Sequence, residues 1–190
     1  MNSYYNEKAN DIIANVHHLD MSFLYTIFEK YLPSAARILD VGSGTGRDSL
    51  YFVRKGYSVT SFDASESLVE FSQLFLTDVS LDTFQNFSST DTYHGIWACA
   101  SLLHVQRRDV QAIIQKYCDM LVEDGVFYMS FKCSDFDYIK DGVSYTCFTL
   151  ETLKALLNRL HHVKIVELFE TQDVRPNRNE KWFNAIIQKN

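Results

Sequence analysis

A chain of 190 residues suffices for one compact domain with a sizeable core and falls short of two ordinary ones. With 46% hydrophobic and 22% charged residues, its composition is globular rather than disordered. The 18 Lys and Arg against 24 Asp and Glu leave a net charge of −6, the wrong sign for a surface that neutralises nucleic-acid phosphates. Residues 1–17 carry no basic start followed by an apolar run, and no apolar stretch approaches the ~20 residues that span a bilayer. The expectation is a cytoplasmic monomer or weak homodimer, without nucleic-acid or membrane partners.

Taken in chain order, strand-like and helix-like runs alternate. Arg37–Val41 is a short apolar run that ends at a glycine cluster and reads as a buried strand. Residues 47–55 read as a helix and 57–62 as a second strand. Ser65 is placed to cap a helix over roughly 66–77, because its hydroxyl accepts from the free amides of the first turn. A weak strand follows near 81–86 and a stronger one at 95–100. Val110, Ile113, Ile114, Tyr117 and Leu121 form one apolar helical stripe, which Asp124-Gly125 is expected to stop before a strand at 126–131. Thr149 caps a further helix with Leu150, Leu153, Leu157 and Leu160 on one face. Strands near 163–169 and 182–188 flank a polar turn containing Arg175-Pro176-Asn177. This alternation predicts a single α/β domain with a doubly wound, largely parallel sheet and helices on both faces. Its ligand edge lies at the strand C-termini.

The four cysteines, Cys99, Cys118, Cys133 and Cys147, contain no C-x-x-C pair, so buried free thiols are expected and no metal site. Glycine says more. Of only seven, three fall at Gly42, Gly44 and Gly46, between the first strand and the next helix. Glycines there allow a tight turn and let a ligand lie against the backbone. A pyrophosphate fingerprint G-x-G-x-x-G would need glycine at 47, where this chain has Arg47. Asp40 would repel a pyrophosphate and attract an ammonium group. Asp63, ending the second strand, has the spacing of an acid that accepts from both ribose hydroxyls. A ribose and an amino-acid tail without phosphates describe S-adenosylmethionine.

Residues 38–46 (Ile-Leu-Asp-Val-Gly-Ser-Gly-Thr-Gly) and 59–65 (Val-Thr-Ser-Phe-Asp-Ala-Ser) resemble the first two motifs of the Rossmann-like, class I S-adenosylmethionine-dependent methyltransferases. Residues 95–105 and 121–127 resemble that family's fourth strand with its following loop, and its fifth strand. Arg47-Asp48-Ser49-Leu50 is similar to the tellurite-resistance subgroup. The resemblance implies seven strands, the last antiparallel and inserted beside the fifth, with residues 1–34 forming a helical cap over the cofactor and 35–190 the core. It implies Gly42 and Gly44 under the methionine portion, Asp40 at its ammonium, directly or through water, and Arg47 at its carboxylate. Asp63 would hold the ribose, Phe84 and Gln85 would flank adenine with Ala64 beneath, and Ala100 would mark backbone passing the methionine. His94 stands where the family commonly opens the fourth strand with Asp, and Ser43 where many members have Cys.

Methyl transfer is an in-line displacement in which the protein supplies alignment and desolvation, with a general base only if the nucleophile must lose a proton. Candidates on the ligand edge are therefore sought by position. His104, just past the fourth strand, is placed to orient or deprotonate an acceptor. Tyr4 and Tyr5 belong to the expected cap, with an aromatic face for the sulfonium. Arg175, Arg178 and Lys181 are expected to select an anionic or strongly polar acceptor, with Trp182 after them as an apolar wall, and residues 133–148, with Asp135, Asp137, Tyr138 and Tyr145, to cover the same pocket. Ala100-Ser101-Leu102-Leu103 replaces the Asn/Asp-Pro-Pro-aromatic motif of the family's amino-methylating nucleic-acid enzymes, and no Pro-Cys pair exists for cytosine chemistry. A small-molecule acceptor, a metabolite or metalloid, is the expectation. Its competitors are a non-catalytic S-adenosylmethionine-binding module acting through a partner, and an NAD-dependent oxidoreductase that Arg47 and Asp40 disfavour.

Overall fold

The computed structural model describes residues 2–176 and 178–190; Asn177 of the expected turn lies outside the described residues. Three helices, α1 (Asn2–Glu7), α2 (Ala9–Val16) and α3 (Ser22–Glu29), precede β1 (Arg37–Val41). Then come α4 (Arg47–Arg54), β2 (Ser58–Asp63), α5 (Glu66–Ser72), β3 (Val79–Leu81) and β4 (Tyr93–Ala98). After a 3-10 turn at Leu102–His104 follow α6 (Arg107–Asp119), β5 (Leu121–Lys132), β6 (Tyr138–Lys140) and β7 (Val143–Tyr145). The chain closes with α7 (Leu150–Leu157), β8 (Val163–Gln172) and β9 (Lys181–Lys189).

Seven strands form one sheet in the order β3-β2-β1-β4-β5-β9-β8, and β6 pairs with β7 as a separate hairpin. All neighbours from β3 to β5 are parallel, and β9 runs antiparallel between β5 and β8. The expected antiparallel last strand beside the fifth parallel strand is therefore present. Successive residues of one strand point to opposite faces. Leu39, Ile96, Phe127 and Met129 pack in the core with Val110, Ile114 and Tyr117 of α6 and Leu153 of α7. Ile38, Trp97, Val126 and Tyr128 pack in a second core with Leu24, Tyr25 and Phe28 of α3 and Phe52 of α4. Both sheet faces are thus covered, which is why the inner strands read as continuous apolar runs.

Both expected helix caps form: the Ser65 hydroxyl accepts from the Leu68 N–H, and Thr149 makes a capping box with Thr152. Four boundaries differ from expectation. The helix after Ser65 ends at Ser72 rather than near 77, and the third strand is Val79–Leu81, which pairs in parallel with Ser61–Asp63. Phe84 and Phe87 instead turn into the core around Phe62. Asp124-Gly125 does not stop a helix. The helix ends at Asp119, and the pair lies inside β5 at an irregularity in the β4–β5 register, with Asp124 at φ +60°. The fourth strand runs Tyr93–Ala98, so Ala100 stands beyond it in a turn at φ +52°. At the opening of that strand His94 Nδ1 accepts the Arg37 N–H at 3.1 Å, which fastens the start of β4 to the start of β1. Among the described residues no helix is long and apolar enough to cross a membrane.

Candidate active site

The C-terminal ends of β1, β2, β4 and β5 open into a cavity of about 640 Å³, within the usual range for small-molecule sites. All the residues expected to hold the cofactor line it except Asp40, and so do His104, Tyr5, Arg175 and Trp182 of the expected acceptor side. Cross-strand bonds hold the loops that form its floor. The Ser101 hydroxyl donates to the Val41 carbonyl at 2.6 Å, and the Ala100 N–H donates to Ser130 Oγ at 2.8 Å. Gly42 sits at φ +75°, where a Cβ would meet the Ser101 Cβ at 2.7 Å, so only glycine fits. At Gly44, φ +54°, a Cβ would meet nothing within 4 Å, so the backbone itself faces open space.

Asp63 is bound by this loop. Its Oδ2 accepts the Gly44 N–H and its Oδ1 the Ser65 N–H, both at 2.8 Å. Each carboxylate oxygen retains a further acceptor site. Burial raises Asp63 above the usual carboxylate range, an effect opposed by these N–H donors. Beside it, the Phe84 ring stands against Gly42 and edge-on to Phe62, with Ala64 and Gln85 also on the cavity wall.

Of the polar residues around the loop, Asp40 departs from expectation, and Arg47 stands at the cavity already engaged by a buried acid. Asp40 is buried behind the cavity wall, where its Oδ2 accepts the Ser49 hydroxyl at 2.6 Å. Burial and the nearby Asp48 carboxylate hold it well above its ordinary range. Direct contact with a ligand is not what this geometry offers, because the side chain of β1 points beneath the loop. Arg47 lines the cavity, but its Nε and Nη2 already bind the two oxygens of Asp48, at 2.6 and 3.0 Å. Asp48 also accepts from Tyr25 Oη at 2.5 Å and Trp97 Nε1 at 2.8 Å. Burial would raise Asp48; Arg47 and these donors outweigh it and hold it low. Sequence reasoning missed this buried network, and its one local signal was the Arg47-Asp48 pair.

At the opposite end, α1 crosses the opening. The Tyr5 hydroxyl meets His104 Nε2 at 2.6 Å, and Asn6 Oδ1 accepts the Ser65 hydroxyl at 2.7 Å. His104 Nδ1 is 3.1 Å from the Ser144 carbonyl of β7, an acceptor only, so Nδ1 carries the proton and Nε2 accepts from Tyr5. His104 therefore has an orienting partner that its sequence context did not reveal. Burial, with help from the Lys132 charge, lowers its pKa to about 4. The folded ring is thus neutral at physiological pH, while the unfolded one titrates near 6.5. The unfolded chain binds the extra proton first, so stability falls as pH drops from 6.5 towards 4. Replacing His104 with Gln, which keeps an acceptor for Tyr5 but gains no proton, should flatten this part of the profile. Calorimetric melting of both proteins across that range tests it; parallel profiles would contradict the assigned protonation.

The turn after β8 is not the cationic patch expected. Arg175 binds Asp173 through Nε and Nη2, and Trp182 Nε1 also donates to Asp173 at 3.2 Å. Arg178 pairs with Glu180 and Lys181 with Glu170, so each cation already has an acid beside it. Arg175 and Trp182 do line the cavity. From the 133–148 segment Tyr145 reaches it, whereas Asp137 binds Arg107 instead and Asp135 and Tyr138 lie off its lining. Tyr4 lines it, edge-on to Tyr5. Lys132, at the end of β5, was missed, although a cation directly after an apolar strand on the ligand edge was a usable signal. Of the four cysteines, Cys118 and Cys147 are buried as expected, while Cys99 and Cys133 are only partly so.

A Rossmann-like sheet with a glycine loop after its first strand and an acid after its second defines a class of cofactor-binding enzyme. The methyltransferase domain profile matches residues 12–174, and the chain belongs to that family. Over 35 residues it is 51% identical to glycine N-methyltransferase of Rattus norvegicus, a stretch covering 18% of this chain and 12% of that protein. Matches to curated relatives span no more than 18% of those proteins' lengths. Among solved structures, it superposes on 1,6-didemethyltoxoflavin-N1-methyltransferase of Burkholderia thailandensis with a TM-score of 0.81 and 21% identity, over 98% of this chain and 84% of that one. That structure holds 1,6-didemethyltoxoflavin and S-adenosylhomocysteine. TehB of Haemophilus influenzae aligns with a TM-score of 0.73 and 22% identity, over 100% of this chain and 67% of that one. At these identities the superpositions establish the fold.

Proposed function

We propose that the protein transfers the methyl group of S-adenosylmethionine to a small-molecule acceptor. The observation that carries this reading is the Asp63 carboxylate, pinned by Gly44 and Ser65 N–H groups with acceptor sites to spare, beside a glycine whose backbone faces open cavity. These residues fit a ribose diol and an amino-acid tail. Bound there, S-adenosylmethionine supplies an electrophilic methyl on a sulfonium. Asp63 binds the ribose hydroxyls, and Gly42, Gly44 and the Ala100 turn lie along the methionine portion. Phe84, Ala64 and Gln85 enclose the adenine. Arg47 keeps two of its five N–H groups for the tail carboxylate, since Nε and Nη2 meet Asp48 and Nη1 donates to the Val16 carbonyl at 3.4 Å.

The acceptor half lies between His104, Tyr5, Trp182 and Arg175. There α1 and α2 act as a cap, tied across the opening by the Tyr5 and Asn6 bonds. Neutral His104, with a pKa near 4, is a weak base, so its role is to orient the acceptor through Tyr5 rather than to deprotonate it strongly. The toxoflavin enzyme, a fold of the same kind whose structure holds a small molecule beside S-adenosylhomocysteine, supports the small-molecule reading. Calorimetric titration with S-adenosylmethionine, S-adenosylhomocysteine and NAD, followed by an acceptor screen for S-adenosylhomocysteine release, tests the proposal. Selective binding of the first two with turnover is expected. A preference for NAD, or binding with no turnover on any acceptor, would refute it.

A further inference from the structure

Lys132 is the one cation of the acceptor end whose hydrogen-bonding capacity is left largely unused by acids among the described residues. It closes β5 opposite Trp182 in the antiparallel register, lines the cavity, and its side chain is only 15% exposed. Its Nζ stands 4.8 Å from the Tyr145 ring centre, 5.6 Å from that of Tyr138 and 5.8 Å from that of Trp182. One of its three N–H groups meets Tyr138 Oη at 2.9 Å. The nearest carboxylate oxygen, Glu180 Oε1, is 3.7 Å away, beyond hydrogen-bonding range, and is shared with Arg178 at 3.3 Å. Asp173, the other acid facing this end, is neutralised by Arg175 and also accepts from Trp182 Nε1. Ring faces stabilise an ammonium that has left bulk water, yet they give its remaining N–H groups no oxygen.

We propose that Lys132 is the anion anchor of the acceptor subsite, and that the acceptor is a small planar molecule bearing an anionic oxygen group. This rests on the methyl-transfer reading and gives its acceptor a chemical class. The anion completes the ammonium's hydrogen bonds, while Tyr145 and Trp182 offer flat apolar surface beside it. The same placement brings the bound ring next to His104, whose pKa already feels the Lys132 charge. Arg175, held by Asp173, is left to shape the wall rather than to select charge.

Benzoate, benzamide and benzamidine share one shape and differ in charge, so they read the anchor directly. Each is titrated into protein saturated with S-adenosylhomocysteine, with binding followed by ligand-observed NMR. Benzoate is expected to bind roughly tenfold or more tighter than benzamide, with benzamidine weakest. Lys132→Met and Lys132→Gln should bring benzoate down to benzamide, and Lys132→Arg should keep the preference. Benzamidine binding as well as benzoate, no binding of benzoate, or a benzoate preference that survives in Lys132→Met would overturn the proposal. The wild-type series stands even if a variant fails to fold. Failure to bind S-adenosylhomocysteine refutes the methyl-transfer reading, whereas normal binding of it with a flat benzoate series refutes the anchor alone.

Discussion

Asp63→Ala is expected to bind S-adenosylmethionine roughly 30- to 1000-fold more weakly than the wild type, the equivalent of about 2–4 kcal/mol from two lost charge-assisted hydrogen bonds. The carboxylate does two jobs in the structure. It accepts the Gly44 and Ser65 N–H groups, which fixes the glycine loop against the start of α5. Its remaining acceptor sites then meet a ribose already facing a set backbone. Alanine removes both functions, so the loss reflects a loosened loop as well as missing bonds. Asp63→Asn keeps one oxygen acceptor and should fall between the two. Calorimetric titration of each protein, with melting curves to establish folding, measures this. Unchanged affinity in a folded Asp63→Ala variant would remove the ribose assignment.

The parts of this site that were legible in the sequence are those written locally. A strand, three alternating glycines, a helix and an acid at the next strand end occupy one continuous stretch, and each residue's job follows from its neighbours in the chain. β3 was misplaced because three residues have no periodicity of their own, and only pairing with Ser61–Asp63 selects Val79–Leu81. Asp124-Gly125 misled for the related reason that a turn signature inside a strand looks the same as one after a helix. The two acids around the glycine loop show the limit most clearly. Asp40 and Asp48 both flank it, and what tells them apart is not local: Asp40 is held by Ser49 of the next helix, whereas Asp48 also takes donors from Tyr25 of α3 and Trp97 of β4.

The acceptor end was less legible because its chemistry is assembled from distant segments. Arg175, Arg178 and Lys181 looked like a charge cluster when counted, yet Asp173, Glu180 and Glu170 neutralise them pair by pair. Lys132 follows an apolar run in the sequence, and the rings around it arrive from residues 138, 145 and 182. His104 gained its role only when α1 delivered Tyr5 and β7 delivered the Ser144 carbonyl. Burial and pairing, not residue type, set what these side chains can do.

The network behind the loop carries the largest stability effect. Arg47 and Asp48 have side chains only 15% and 9% exposed, so neither charge is well hydrated, and each depends on the other. Arg47→Leu leaves a buried carboxylate with only Tyr25 and Trp97 as donors. The expected cost is about 3–5 kcal/mol, which for a protein of this size lowers the melting temperature by roughly 6–20 °C. A pH signature separates this from simple loss of packing. In the wild type Asp48 is held low, so its contribution is complete above the unfolded value of 3.8 and is lost only as pH falls through the lower folded value. Without Arg47, burial dominates and raises Asp48, so the folded variant binds a proton before the unfolded chain does. Its deficit relative to wild type should therefore narrow as pH is lowered from about 7 to 5. Arg47→Leu/Asp48→Asn should recover part of the loss at neutral pH, because an amide buries no charge while its oxygen still accepts from Trp97. Melting curves of the three proteins at both pH values decide the matter. A loss below about 1 kcal/mol in Arg47→Leu would mark the pair as equivalent to a solvated surface bridge.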